Sequence, residues 1–92
     1  MIVRIQGEGQ FRLPDETLDE INVLDAALEA ALEQTDEAVF AAALDALLDR
    51  VRVVGVALDP EEIVESDVIL PAADATEEEV RSMLTEEGLL PG

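Results

Sequence analysis

Almost all the side chains in this chain that can take part in chemistry are carboxylates. The 92 residues include 23 aspartates and glutamates and five arginines, but no lysine, histidine, cysteine or tyrosine. The familiar pairs of nucleophile and base draw on the four missing residue types. Two carboxylates can hydrolyse a glycoside in a cleft lined by aromatic or polar groups, but the chain has only two phenylalanines. The sequence therefore predicts a protein that is not an enzyme.

The carboxylates also lack the spacing of a metal or cofactor site. Asp67 and Asp74 do not begin the ordered aspartates, glycine and glutamate that define an EF-hand calcium loop. The run Gly7-Glu8-Gly9 lacks the third glycine of a dinucleotide-binding loop and is explained as a turn. The absence of cysteine excludes disulfides and thiolate metal sites. We expect no catalytic, cofactor-binding or metal-binding residues.

The net charge of −18 indicates which class of partner the chain binds. Such a field repels the phosphates of nucleic acids and the headgroups of anionic lipids, so we expect direct binding to neither. The remaining class of partner is another protein. No apolar run reaches the ~18 residues of a membrane span, and the N-terminus lacks a secretory signal, so the sequence predicts a cytoplasmic protein.

The absence of lysine has two explanations, a genome of high GC content and a cytoplasm that holds molar salt. Carboxylates follow one another four residues apart on two predicted helices, at Asp25, Glu29 and Glu33 and again at Asp45 and Asp49. Each such pair costs roughly 0.2–0.5 kcal/mol in dilute salt, whereas a Debye length of about 3 Å at 1 M removes most of the repulsion. The spacing favours the halophilic explanation.

The N-terminal residues predict a β-hairpin. Residues 1–6 alternate and are rich in β-branched side chains, a glycine turn follows, and residues 10–13 are again extended. One face of the hairpin carries Val3, Ile5, Phe11 and Leu13, and the other carries Arg4 and Arg12.

Two helices follow, and their short connection makes them an antiparallel hairpin. The first begins at residues 15–17, where Thr17 and Glu20 match a capping box; the second begins at Thr35, its expected N-cap, and ends at Gly55. Apolar residues recur every three or four positions along both helices. They are Leu18, Ile21, Leu24, Leu28 and Leu32 in the first and Phe40, Leu44, Leu47, Leu48, Val51 and Val54 in the second.

The last third of the chain is predicted to complete the same domain. Residues 67–70 form either a short third strand or an extended segment that covers the hairpin. Thr76 and Glu79 form a second capping box, which begins a short helix that ends near Gly88. The sequence therefore predicts one α+β domain over residues 1–92, with an N-terminal β-hairpin packed with an antiparallel helical hairpin, a short third extended segment and a short C-terminal helix.

Both ends of the chain are candidate partner-binding regions. Leu89 and Leu90 follow the expected end of the last helix, where they either anchor a partner or fold back onto the core. Ile2 and Arg4 belong to the first strand, which is apolar and lies at a chain end, so that it is free to extend the sheet of a partner. A homo-oligomer would form through this strand or through the helical faces.

Three stretches occur in an order that points to one family. They are residues 1–13 (MIVRIQGEGQFRL), 59–71 (DPEEIVESDVILP) and 86–92 (EEGLLPG), with the helical pair between the first two. Together they resemble the PspA-associated (PspAA) domain of the phage shock protein system, and the resemblance spans the whole chain. Their order and the closing segment carry the resemblance.

The resemblance implies a non-enzymatic accessory protein of the envelope-stress response. It implies a partner, PspA, which is a coiled-coil membrane-remodelling protein similar to the ESCRT-III group, and recruitment to the inner face of the membrane through that partner. Since such proteins hold anionic membranes through basic amphipathic segments, an acidic companion is expected to occupy those segments. The alternative is an acidic antitoxin-like protein, or an adaptor subunit of another small complex.

Overall fold

The computed structural model describes residues 1–34, 36–62 and 64–83. Its strands are β1 (Ile2–Ile5), β2 (Gly9–Arg12), β3 (Val56–Ala57) and β4 (Val68–Leu70), and its helices are α1 (Leu18–Glu33), α2 (Glu37–Val54) and α3 (Glu77–Met83). A single 3₁₀ turn at Asp15–Thr17 leads into α1. The predicted α+β class is confirmed, as are the N-terminal hairpin, the helical pair and the short C-terminal helix.

The strands form one mixed sheet in the order β3-β2-β1-β4. β1 pairs antiparallel with β2 and parallel with β4, whose residues Val68 and Leu70 lie opposite Val3 and Ile5. Residues 67–70 therefore include a strand, the first of the two predicted alternatives. Because β1 is paired on both sides, the expectation that it is free to extend a partner's sheet is wrong. The edges of the sheet are β3 and β4.

The inner face of the sheet packs against the two long helices. Val3, Ile5 and Leu13 are buried there, as the alternation of the hairpin predicts. An ion pair between Arg50, near the end of α2, and Glu20, near the start of α1, confirms that the helices are antiparallel. The apolar stripes meet in one core, whose fully buried helical members are Ile21, Leu28, Leu44, Leu47, Leu48 and Val51.

A long crossover connects the two edge strands over the outer face of the sheet. The Gln10 side chain lies on that face, and its Nε2 donates to the Val64 carbonyl and to Ser66 Oγ, both at 2.8 Å. At the end of the crossover, the Ile2 N–H donates to Asp67 Oδ2 at 2.7 Å. These bonds hold the crossover against the sheet, so Ile2 is only 7% exposed although it lies on the outer face.

The beginnings of both long helices differ from the sequence prediction. Thr17 already has helical backbone angles, because it ends the 3₁₀ turn, and its hydroxyl donates to the Pro14 carbonyl at 2.7 Å instead of capping α1. Asp36 caps α2: its backbone is extended, and its Oδ1 accepts from the N–H groups of Ala38 and Val39 at 2.9 and 3.3 Å. The predicted cap, Thr35, lies outside the described residues.

Asp25 is buried, contrary to its predicted place in a row of exposed carboxylates. It is 4% exposed and lies on the side of α1 that faces the core. In the second row, Asp49 accepts a hydrogen bond of 2.6 Å from Arg52, which offsets its repulsion with Asp45. The like-charge argument for a halophilic origin is therefore weaker than the spacing indicates, and that origin stays a prediction.

Arg52 ties the hairpin turn to the end of α2. Its Nε donates to Glu8 Oε1 at 2.7 Å and its Nη2 to Oε2 at 2.5 Å. These hydrogen bonds, more than the attraction of the opposite charge, hold the pKa of Glu8 below its ordinary value. The turn itself depends on Gly7, whose φ of +83° glycine adopts without strain.

We expect Glu8→Gln to lower the free energy of unfolding at neutral pH by at most about 1 kcal/mol, because the pair is partly exposed. The pKa of Glu8 is lower in the folded protein than in the unfolded chain. The ionised carboxylate therefore stabilises the fold at any pH above the pKa of the unfolded chain, and this stabilisation is lost as the pH falls through the pKa of the folded protein. The difference between wild type and variant should therefore close in acid. Urea unfolding of both proteins across this range measures it, with Glu16→Gln as a control, and a difference that persists in acid contradicts the expectation.

An acidic groove between α2 and α3

The short helix α3 is held in place at both of its ends. At its start, Thr76 Oγ1 accepts from the Glu79 N–H and donates to Glu79 Oε1, both at 3.2 Å, which confirms the pairing of these residues predicted from the sequence. Val80 is buried in the core. Arg81 Nη2 donates to the Leu32 carbonyl in the last turn of α1 at 2.7 Å. These contacts place the start of α3 beside the first half of α2.

A groove of about 660 Å³ lies between these two segments. Its floor is apolar: Ala41 is exposed and Ala75 is half-buried, whereas Phe40 and Leu44 belong to the core and are only 5% and 1% exposed. Its rim carries carboxylates. The rim residues are Glu37, Asp74, Glu77 and Glu78, with Arg81 beside them. We call this feature the acidic groove.

Negative charge is in excess around the acidic groove. Glu77 Oε2 lies 3.6 Å from Arg81 Nη2. Glu37, Asp74 and Glu78 form no ion pair with any cation of the described residues. An apolar floor below uncompensated carboxylates matches a segment that carries apolar side chains flanked by lysine or arginine. The groove is thus complementary to a basic amphipathic segment.

Of the residues predicted from the sequence to bind a partner, the two that the structure describes, Ile2 and Arg4, do not line this groove. Ile2 is covered by the crossover, and Arg4 is exposed on the outer face of the sheet. Leu89 and Leu90 lie outside the described residues. Sequence reasoning assigned Phe40 and Leu44 to the core, which is correct, but it had no signal that residues 73–78 return to the same place. The groove exists only through that tertiary contact.

Two properties of the described residues bear on other classes of function. Across residues 1–34, 36–62 and 64–83, no three side chains of histidine, cysteine, aspartate or glutamate are grouped so that they could hold a metal ion. Among the helices that the structure describes, none has both the length and the apolar character needed to cross a membrane.

The mixed sheet, the antiparallel helical pair and the acid-rimmed groove together define a small α+β domain. The family model described as PspA-Associated protein (PspAA) matches residues 1–92, and the chain belongs to this family. Comparisons with curated proteins and with solved structures each found no match. The resemblance seen in the three sequence stretches is thus confirmed over the full length, and the family's name indicates association with PspA.

Proposed function

We propose that this protein is a non-enzymatic accessory protein that binds a PspA-type coiled-coil protein in the envelope-stress response. Membership of the PspAA family supports the identity of the partner. The observation that carries the mode of binding is the acidic groove, where an apolar floor lies below four carboxylates, of which only Glu77 has an ion-pair partner among the described residues. The protein acts in the cytoplasm and reaches the membrane only through PspA.

The groove provides two forces that act over different distances. The net charge of −18 attracts a basic segment from afar and speeds association, but this attraction falls steeply with ionic strength. The apolar floor, where Ala41 is exposed, acts only on contact and is not screened by salt. A partner held by both forces stays bound in concentrated salt, whereas one held by charge alone does not.

Occupation of the groove competes with lipid for the same segment of PspA. A basic amphipathic segment binds an anionic bilayer by burying its apolar face and placing its cations at the headgroups. The acidic groove offers both kinds of contact within one protein. The bound protein therefore holds PspA off the lipid, and release from the groove frees the segment for the membrane.

Substitution of one alanine tests this mode of binding. Ala41 is exposed and lines the groove, whereas Ala46 is exposed on the same helix and does not line it. We expect Ala41→Arg to raise the Kd for PspA at least about tenfold, because a like charge placed against the bound segment costs several kcal/mol. Ala46→Arg makes the same change in net charge and should leave the Kd within about threefold of wild type. Calorimetry with purified PspA of the same host measures both.

The same variants separate the partner from the mechanism. Vesicles of anionic lipid sedimented with PspA should retain less of it when wild-type protein or Ala46→Arg is added, and should retain it when Ala41→Arg is added. Wild-type protein that fails to bind PspA in dilute and in concentrated salt contradicts the proposed partner. Equal weakening by the two arginine variants contradicts the groove as the binding site and attributes binding to net charge.

A further inference from the structure

Among the described residues, no strand covers the outer edge of β4. The Leu70 carbonyl accepts from the Gln6 N–H at 3.0 Å, so the backbone of Leu70 faces β1. Because successive residues of a strand present their N–H and C=O groups to opposite sides, those of Ile69 point away from the sheet. No strand of the described residues pairs on that side. An edge of this kind is a template for another strand.

The surface beside β4 carries little charge for this protein. The Ile69 side chain is 49% exposed, on a strand of three aliphatic residues. A groove of about 490 Å³ runs beside the edge. The residues that line it are Gln6, Ser66, Asp67, Val68, Ile69 and Met83, of which one is acidic. Four acidic residues line the acidic groove, so the β4 edge is the less negative of the two surfaces.

We propose that the β4 edge pairs antiparallel with the β4 edge of a second copy of this chain, with the two-fold axis near Ile69. A two-fold interface must complement itself, and an open antiparallel edge does so through its backbone. Two copies that each carry a charge of −18 repel least where carboxylates are sparse. The dimer joins two four-stranded sheets into one continuous sheet of eight strands.

Arg4 adds a favourable charge beside the proposed axis. It lies opposite Ile69 in the register of β1 and β4, is exposed, and forms no ion pair within the part of the chain that the structure describes. Two strand spacings, about 10 Å, separate its backbone from the Ile69 position of the second copy. A pair of arginines near the axis offsets part of the repulsion between the copies. A coiled-coil partner is helical and has no strand to pair with β4, whereas a second copy of this chain pairs through its own β4.

Lysine substitution at the two edges of the sheet tests the proposal. Ile69→Lys sets two like charges directly opposite each other at the axis, which destabilises a strand pair, and lysine on an edge is a common protection against strand addition. Val56→Lys makes the same charge change on β3, the opposite edge, where Val56 is 63% exposed. Sedimentation equilibrium should give twice the 9.9 kDa of one chain for wild type and Val56→Lys and a single chain for Ile69→Lys. Circular dichroism confirms that each variant is folded.

A second variant separates the loss of backbone pairing from the effect of the added lysine charge. Ile69→Pro removes only an N–H that points away from β1, a position where edge strands tolerate proline, and it should also give a monomer. Raising KCl from about 0.15 M to about 2 M should strengthen the wild-type dimer, because screening removes the repulsion between the copies. A wild-type monomer at both salt concentrations overturns the proposal, as does a dimer that survives Ile69→Lys and Ile69→Pro. A monomer with a protected Ile69 amide in hydrogen exchange also overturns it, since the chain then covers its own edge.

Discussion

Replacing Leu47 by alanine is expected to lower the free energy of unfolding by about 2–5 kcal/mol. The Leu47 side chain is 0% exposed, and it lies in the core formed by α1, α2 and the inner face of the sheet. Its truncation removes apolar contacts and leaves a cavity that the surrounding helices fill only in part. Since a small domain is stable by roughly 5–15 kcal/mol, one substitution removes a large share of the total. Leu28→Ala, at the equivalent depth in α1, should behave alike.

Urea unfolding followed by circular dichroism measures both losses. Val53→Ala is the matched control, because Val53 lies on the same helix as Leu47 but is 72% exposed. Its effect should remain within about 0.5 kcal/mol. If Leu28→Ala and Leu47→Ala were both as mild as the control, the two helices would not enclose the core, and their apolar faces would be free to bind another helix.

Gly55→Ala is expected to lower the free energy of unfolding by about 1–3 kcal/mol through overpacking. Gly55 joins α2 to β3, and a Cβ atom placed there would lie 2.6 Å from the Val51 carbonyl oxygen, 3.1 Å from Phe11 Cβ and 3.2 Å from Leu13 Cδ2. The first contact is with backbone, which can move only by opening the last turn of α2. The Gly55 N–H donates to that same carbonyl at 2.9 Å, so the hydrogen bond would be strained as well.

The loss should be concentrated at the junction of α2 and β3. The Leu58 N–H donates to the Gln10 carbonyl at 2.9 Å just beyond β3. Hydrogen exchange at Leu58 should therefore accelerate in Gly55→Ala, while the amides of α1 change only with global stability. Replacing a glycine by alanine at a position without strain stabilises a protein by about 0.4–1 kcal/mol. A gain of this kind would show that the backbone at Gly55 has room for a side chain.

The regular elements were predictable because their signals are local. The helical period persists through both long helices, and the alternation of the hairpin places the correct side chains on the inner face. The missed strand β3 has two residues, which is too short for a period of two to be detected. The parallel pairing of β1 with β4 was not predicted for another reason. The two strands are distant in the chain, and no local sequence feature of either one indicates the strand with which it pairs.

The burial of Asp25 could have been predicted from the sequence, but its position fits two patterns at once. Asp25 lies four residues after Ile21 and three before Leu28, which is the spacing of the buried stripe itself. The same residue also begins a row of carboxylates at spacings of four, and the charge pattern was preferred over the stripe. The acidic groove left no such trace, because its two sides come from segments about 30 positions apart, and their approach is decided by the packing of α3.

The position of β1 in the centre of the sheet affects how the chain folds during its synthesis. β1 leaves the ribosome before β4, and the bond between Ile2 and Asp67 joins residues 65 positions apart. At ~5–20 residues per second, the ribosome needs roughly 3–13 seconds to make that stretch, whereas a hairpin closes in about 1–10 μs. For seconds, the edge of β1 that β4 covers in the finished protein therefore has no strand beside it. We therefore expect any aggregation of this protein, and any requirement for a chaperone, to arise during translation.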